Sequence, residues 1–304
     1  MSREFYYTMT ELIHTYGWKQ IDTQELWRQP GSLASRLQRQ FGEMPSVILF
    51  WEGYDFLISV LADLRKLRPV TCIFADDLHW VNDTMRSQKL VSYIYSDVIL
   101  AACEPVFDRF YPGVRRTKKI VWAPHAACPD YFLPFNERPR TSVLLSGKIH
   151  PVYPLRENMR KLYDSGKYRI DLLEHPGYHC TYDHEDNLAV GPGYARNIHS
   201  RLCAFTCSSK HNYTVAKFFE IPATGSLLLA DASVNEALLK LGFVEYKHYV
   251  PVHADHLEAG VEFVLDPANR GTVDSIRRAG QELVLGRHTT RDRARLIDEA
   301  CTYS

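Results

Sequence analysis

The sequence predicts an α/β fold of two doubly wound halves, each a parallel sheet with helices on both faces. Three observations carry this. Short runs of consecutive apolar residues recur along the chain, as strands do when both faces are covered. The stretches between them space their apolar residues at helical intervals. A proline-studded segment of little periodicity then divides the chain near its middle.

In the first half the strand candidates are VILFW (47–51), VTCIFA (70–75), DVILA (97–101) and KIVWA (119–123), separated by the helical patterns YDFLISVLADLRKL, TMRSQKLVSYIY and EPVFDRFY. The second half repeats the plan with SVLLSG (142–147), YRIDLLE (168–174), RLCAFTC (201–207) and GSLLLAD (225–231). Between them PHAACPDYFLPFNERP carries prolines at 124, 129, 134 and 139 and reads as a stiff connection. The expected domains are residues 1–128, a linker at 129–140, a second domain at 141–287 and a terminal helix at 288–304. The tail reads as two helices broken at Gly286, with Thr289 or Thr290 capping the last.

With 304 residues the chain is long enough for two domains, each with its own core. An apolar share of 45% and a charged share of 24% are those of a folded protein. Thirty-six basic residues balance thirty-six acidic ones, so no electrostatic footprint for a nucleic acid or a membrane surface is present. No apolar run reaches the length of a membrane span, and MSREFYYTMTEL lacks the apolar region of a secretory signal, so the expected location is the cytoplasm. Seven cysteines without a C-x-x-C spacing suit reduced thiols better than a disulfide framework.

The segment HNYTVAKFFEIPATGSLLLAD (211–231) holds the strongest chemical signal. A helix beginning at Asn212 as N-cap would put Tyr213, Lys217 and Glu220 on one face, end near Gly225, and run at once into a strand. That places a helix start and its polar face at the rim of a sheet, where open α/β folds bind ligands. A carboxylate there can accept both hydroxyls of a ribose, and a lysine with helix-start amides can hold a diphosphate. The same spacing also fits a plain amphipathic helix with an i, i+3 ion pair and a glycine cap.

In sequence, HNYTVAKFFEIPATGSLLLAD resembles the donor-site segment of the GT-B glycosyltransferases, in particular the CgeB-like group of the glycosyltransferase family 1 superfamily. Further pieces fall in that family's order: LLSG (144–147), YPLR (153–156), HPGY (175–178), LGF (241–243) and H-T-x-x-R-A at 288–294. The resemblance implies two Rossmann-like domains facing a cleft. It implies a nucleotide-sugar donor, UDP- or GDP-linked, an acceptor hydroxyl on a glycan, protein or small molecule, and no cofactor or bound metal. It places Glu220 on the nucleotide ribose, and Lys217 with the backbone around Thr224 and Gly225 near the diphosphate. The family's other glutamate falls on Asn212, a departure that bears on the sugar contact. Gly147 would sit where the first strand of the second domain turns toward the phosphates, with Lys148 and Arg156 as charge partners or as plain surface cations. Tyr178 and Tyr194 would flank the base or lie buried in their loops.

The first domain would supply the acceptor site. FADDLHW (74–80) follows a strand, so Asp76, Asp77 and His79 project at the sheet's carboxyl edge. A histidine oriented by a carboxylate can deprotonate a hydroxyl, or one of the aspartates can simply cap the next helix. Trp51, Glu52 and Asp55 form a second acceptor candidate, and His125 in the linker reads as a hinge. His175, His179, Cys180, Asp183 and His184 lie close in sequence, but their spacings match no common zinc pattern, so no metal is expected. A GT-B first domain opens with a strand and a glycine turn, whereas FYYTMTELIHTYGW is helical. The sheet therefore lacks its usual opening strand, or the chain lacks a preceding region. The alternatives are a nucleotide-sugar-binding module without transfer activity and a sugar-nucleotide epimerase on the same architecture.

Overall fold

The computed structural model describes residues 3–177 and 189–302. The chain divides into two compact units, one of Thr8–Pro124 with Arg293–Ser304, the other of Met1–Tyr7 with His125–Asp292. The first helix, Arg3–Tyr16, thus gives its opening turn to the second unit and the rest to the first.

The first unit contains a four-stranded sheet, β1 Val47–Trp51, β2 Val70–Ala75, β3 Val98–Ala101 and β4 Lys119–Trp122, in the order β1-β2-β3-β4. All its pairings are parallel, with Leu49 opposite Cys72, Ile73 opposite Ile99 and Leu100 opposite Val121. As expected, helix rather than strand opens the chain. Asp22, Ser32 and Asn82 accept amide bonds at the starts of the helices Thr23–Arg28, Leu33–Phe41 and Asp83–Tyr95, so local chemistry sets those boundaries.

The second unit holds β5 Arg140–Ser146, β6 Ile170–Leu173, β7 Arg201–Thr206, β8 Leu227–Asp231 and β9 Val250–Val252, ordered β6-β5-β7-β8-β9 and parallel throughout. Its strands read as unbroken apolar runs because each face meets its own core. Leu144, Ala204 and Leu228 pack on one side with Phe218, Phe219 and Tyr194; Val143, Leu145, Cys203 and Leu229 pack on the other with Met159 and Val261. A fully buried aliphatic or aromatic side chain contributes about 1.5–3 kcal/mol, so the alternation along each strand fixes its register. The one strand not foreseen, β9, has three residues and a central proline at a sheet edge, too short for a sequence pattern.

Two expectations change. The segment expected as a linker belongs to the second unit: Pro129–Tyr131 forms a 3₁₀ turn whose Tyr131 is buried, while Leu133 and Asn136 offer their carbonyls to Gln281 and Arg277. The tail helix runs through Gly286 as Arg270–Arg287, and the break falls at His288. Thr289 is the cap beyond it, exchanging bonds with Asp292 in a reciprocal box.

Arg277 ties this framework together from a fully buried position. Its Nε donates to the Gly225 carbonyl at 2.9 Å, Nη2 to the Asn136 carbonyl at 2.8 Å, and Nη1 pairs with Asp274 at 2.6 Å. Arg277→Met is therefore expected to destabilise the protein by about 3–5 kcal/mol, the range for removing one partner of a buried ion pair. Urea unfolding measures this, and a loss below about 1 kcal/mol would show the network to be dispensable.

Candidate active site

At the carboxyl edge of the second sheet, β5 is followed by Gly147, whose φ of +91° only glycine adopts without strain. A Cβ there would lie 3.0 Å from Lys217 Cε and 3.1 Å from Arg156 Nη1, so two cations close on this turn. Arg156, in the first turn of the helix Pro154–Asp164, is 4% exposed. It lies 3.9 Å over the Tyr153 ring, donates to the Lys148 carbonyl at 3.2 Å, and leaves its Nε without a partner among the described residues. Lys217 Nζ donates to the Tyr194 hydroxyl at 2.6 Å, and that hydroxyl bonds the Ser146 hydroxyl at 2.8 Å. Among the described residues neither Arg156 nor Lys217 forms an ion pair with a carboxylate. His175 shares this environment: burial lowers its pKa, and the charges of Lys217, Lys148 and Arg156 lower it further.

The helix that carries Lys217 is shorter than its sequence suggests. It spans Lys217–Ala223, and Asn212 does not cap it. Asn212 instead adopts φ +61° and donates to the Ser233 carbonyl at 3.2 Å. Asp231 competes successfully for the loop before the helix: its carboxylate takes the Ser208 amide and hydroxyl and the Ser233 amide, which holds residues 208–212 out of helical geometry. Tyr213 accordingly does not share a helical face with Lys217; it is buried, with its ring 5.4 Å from that of His211.

Glu220 lies on this helix, buried, with its Oε1 accepting the Tyr131 hydroxyl at 3.1 Å. Burial raises its pKa; Lys217 opposes the rise, Glu4 adds to it, and Tyr131 and His125 oppose it. His125, expected as a hinge, is buried in the same cluster, with its Nδ1 2.6 Å from Glu4.

Thr224 and Gly225 do not join the cation cluster. They follow the helix and precede β8, at the amino edge of a parallel sheet whose carboxyl edge bears Gly147. Gly225, at φ +75°, does terminate the helix as expected, bonding back to the Pro222 carbonyl. Tyr194 is not a stacking platform: its buried ring lies under Lys217, 4.3 Å from Nζ, and its hydroxyl orients that cation. Tyr178 lies outside the described residues, as do His179, Cys180, Asp183 and His184 of the histidine-rich segment. No group of three potential metal ligands occurs among the described residues.

In the first unit, Asp77 and His79 follow β2, with Oδ1 and Nδ1 3.6 Å apart and both side chains partly exposed. Neither Asp76 nor Asp77 caps the next helix, because Asn82 does so. Glu52, at φ +53° beyond β1, turns its carboxyl to the backbone of Asp77 and Asp76; loss of solvent raises its pKa and Lys89 opposes the rise. Buried Lys89 in turn donates to the Asp77 and His79 carbonyls. Trp51 stacks on Phe74 at 4.1 Å and Asp55 bonds the Phe56 amide, so these two serve local structure. Lys89, Tyr131, Glu4 and Asp231 carry no local sequence signal, since each acts through residues distant in the chain.

Residues 171–299 match the family model described as glycosyl transferase-like. The structure resembles the sucrose-phosphate synthase of Thermosynechococcus elongatus with a TM-score of 0.59 at 12% identity, over 88% of this chain and 75% of that one. It resembles Anabaena HepE in complex with UDP with a TM-score of 0.59 at 9% identity, over 88% of this chain and 81% of that one. The pneumococcal O-GlcNAc transferase GtfA, in complex with UDP and GlcNAc, follows with a TM-score of 0.53 at 11% identity, over 88% of this chain and 58% of that one. The fold is GT-B. The family match at 171–299 includes Lys217, while Gly147 and Arg156 precede it on the same five-stranded unit. No curated protein matches the chain in sequence. Among the described residues, no helix is long and apolar enough to cross a membrane.

The lowered pKa of His175 has a signed consequence. The unfolded chain binds the proton more readily than the folded one, so His175 costs no stability above its unfolded value of about 6.5 and destabilises as pH falls below it. Thermal unfolding from pH 8 to pH 5 is expected to show a smaller drop in Tm for His175→Gln than for the wild type. Identical curves would mean that neither burial nor the three cations shift this ring.

Proposed function

We propose that the protein is a glycosyltransferase of the CgeB-like group that moves a hexosyl unit from a UDP- or GDP-linked donor to an acceptor hydroxyl. One observation carries this reading: buried Arg156 and half-buried Lys217 converge on the left-handed turn at Gly147, and among the described residues neither forms an ion pair with a carboxylate. A cation drawn out of water without a paired carboxylate is costly, and a nucleoside diphosphate is an anion that would compensate both. The glycosyl transferase-like domain and the UDP bound by HepE and GtfA support the same class of ligand.

Each residue then has a chemical task. Lys217, held by Tyr194, and Arg156, held over Tyr153, neutralise the charge that develops on the departing diphosphate, so transfer proceeds without a metal. Gly147 lets the backbone approach the phosphates where a side chain would collide. Glu220 accepts the ribose hydroxyls in place of bulk water. In the first unit, Asp77 orients His79, which takes the acceptor proton, while Glu52 and Lys89 hold their loop from beneath.

A second reading, a nucleotide-sugar-binding module without transfer, is favoured by Asn212. That residue stands where the family has a glutamate, and its amide is engaged by the Ser233 carbonyl. Product formation from UDP- and GDP-sugars in the presence of EDTA separates the two readings, and the transferase is expected to turn over without added metal.

Nucleotide binding itself is open to a thermal-shift screen with UDP, GDP, ADP and CMP. A nucleoside diphosphate at one hundred times its dissociation constant is expected to stabilise the fold by about 2.7 kcal/mol. Arg156→Met and Glu220→Ala should each abolish most of that shift, with folded far-UV spectra retained. Wild-type shifts in both variants would remove the site from the position assigned to it.

A further inference from the structure

The chain as a whole balances thirty-six basic residues against thirty-six acidic ones, and that balance conceals a local segregation in the first unit. Residues 65–68 hold three cations in four positions, and residues 115–119 hold four in five. The first run closes the helix Leu61–Leu67 and leads into β2, and the second leads into β4. The registers set Cys72, Val98 and Lys119 in one row, so both runs border the amino edge of the sheet with β3 between them.

Arg65, Lys66, Arg68 and Arg116 are exposed, and among the described residues none of them pairs with a carboxylate. The acids of this edge are engaged elsewhere: Asp97, just before β3, accepts the Thr71 amide at 2.8 Å, and Glu43 pairs with Lys19 at 2.7 Å. Between the two runs ends the helix Asp83–Tyr95, whose last turns bury Lys89 and Ser92 while Leu90, Ile94 and Tyr95 are 36%, 48% and 41% exposed. Leu90 and Ile94, four positions apart, share one face of that helix. Arg65 lies 4.8 Å over the Tyr95 ring, which joins the apolar strip to the cations.

A helix carboxyl terminus favours lysine and arginine by itself, and the Leu61–Leu67 helix needs no further reason for its cations. That preference does not hold isoleucine and leucine in water beside them. Apolar side chains set among unpaired cations match a lipid interface, where anionic headgroups answer the charge and the acyl boundary takes the side chains. A nucleic acid would answer the cations and leave Leu90 and Ile94 wet.

We propose that the amino edge of the first unit is a docking surface for an anionic phospholipid membrane, with Leu90, Ile94 and Tyr95 entering the interface and Lys66, Arg68 and Arg116 meeting the headgroups. Asp77 and His79 follow β2 at the opposite edge of the same sheet, so attachment leaves them uncovered. The proposal stands independently of the donor reading.

Vesicle sedimentation of the full chain tests it. The protein is expected to bind phosphatidylcholine vesicles containing about one part in three phosphatidylglycerol, to ignore phosphatidylcholine alone, and to be released as salt rises from about 0.1 M to about 0.5 M. Lys66→Ser combined with Arg116→Ser takes one cation from each run; at about fivefold per cation, binding should weaken about twenty-five-fold. Ile94→Ser leaves the charge unchanged and should weaken binding about tenfold. All three positions are exposed, so far-UV spectra should match the wild type.

Equal binding to both kinds of vesicle, or to neither, overturns the proposal. So does wild-type binding in either variant, since the surface needs both its charge and its apolar strip. Duplex DNA is the control: binding that the cation variant loses and Ile94→Ser keeps, in a protein that ignores the vesicles, makes the edge a polyanion site and removes the membrane from the account.

Discussion

Positive charge drawn away from solvent, on buried Arg156 and half-buried Lys217, is the constraint on which the second unit depends. Arg156 and Lys217 are held in place by neutral partners: an aromatic ring and a carbonyl for the first, a tyrosine hydroxyl for the second. Neutral partners orient a cation without cancelling it. Ordinary folding would place a carboxylate beside each, as it does for Arg277 and Asp274 on the same chain. The contrast lies within one unit: Arg277 pairs with Asp274, whereas among the described residues neither Arg156 nor Lys217 forms an ion pair with a carboxylate, which is what the proposed diphosphate site requires.

The surrounding geometry follows from serving those cations. Gly147 must be glycine because the turn is left-handed and a Cβ would meet both side chains. Ser146 ends β5 with a hydroxyl that fixes Tyr194, and Tyr194 fixes Lys217, so the strand end and the helix Gly191–His199 jointly set one ammonium. The short Lys217 helix is placed from its far end by the Gly225 turn, which Arg277 secures through the Gly225 carbonyl. Arg277 at the amino edge of the sheet and the cation pair at its carboxyl edge are thus linked through seven helical residues.

Much of the fold was legible because the parallel sheets leave a local mark. VILFW and VTCIFA coincide with β1 and β2 residue for residue, since apolar side chains fill every position but Thr71, with β2 buried and the edge strand β1 half-buried. The site was legible only in part. Lys217, Arg156 and Gly147 come together as their positions in the resembling motifs imply, whereas Thr224 and Gly225 fall at the opposite sheet edge. The misplaced helix start at Asn212 has a distant cause: Asp231, nineteen positions on at the end of β8, captures the loop through Ser208 and Ser233. N-cap propensity describes a residue's neighbours in sequence, and here a carboxylate brought in by the sheet overrides it. Glu4 illustrates the same limit from the other end of the chain, since nothing in REFYY announces a partner at His125.

The loop after β2 shows how rigidity is obtained at an exposed position. Asp77 and His79 remain partly open to solvent. Their backbone is fixed from below, because Lys89 binds the carbonyls of both residues and Glu52 binds the amides of Asp76 and Asp77. One cation on the carbonyls and one anion on the amides clamp both polarities of the same short segment, and the two charges also offset each other. Glu52 accepts a left-handed backbone to reach this position, a strain of order 1–3 kcal/mol that persists only where the surroundings over-determine it. A loop that served merely to connect β2 to the next helix would need neither charge, so the paired clamp is itself an argument that the placement of Asp77 and His79 matters to what the protein does.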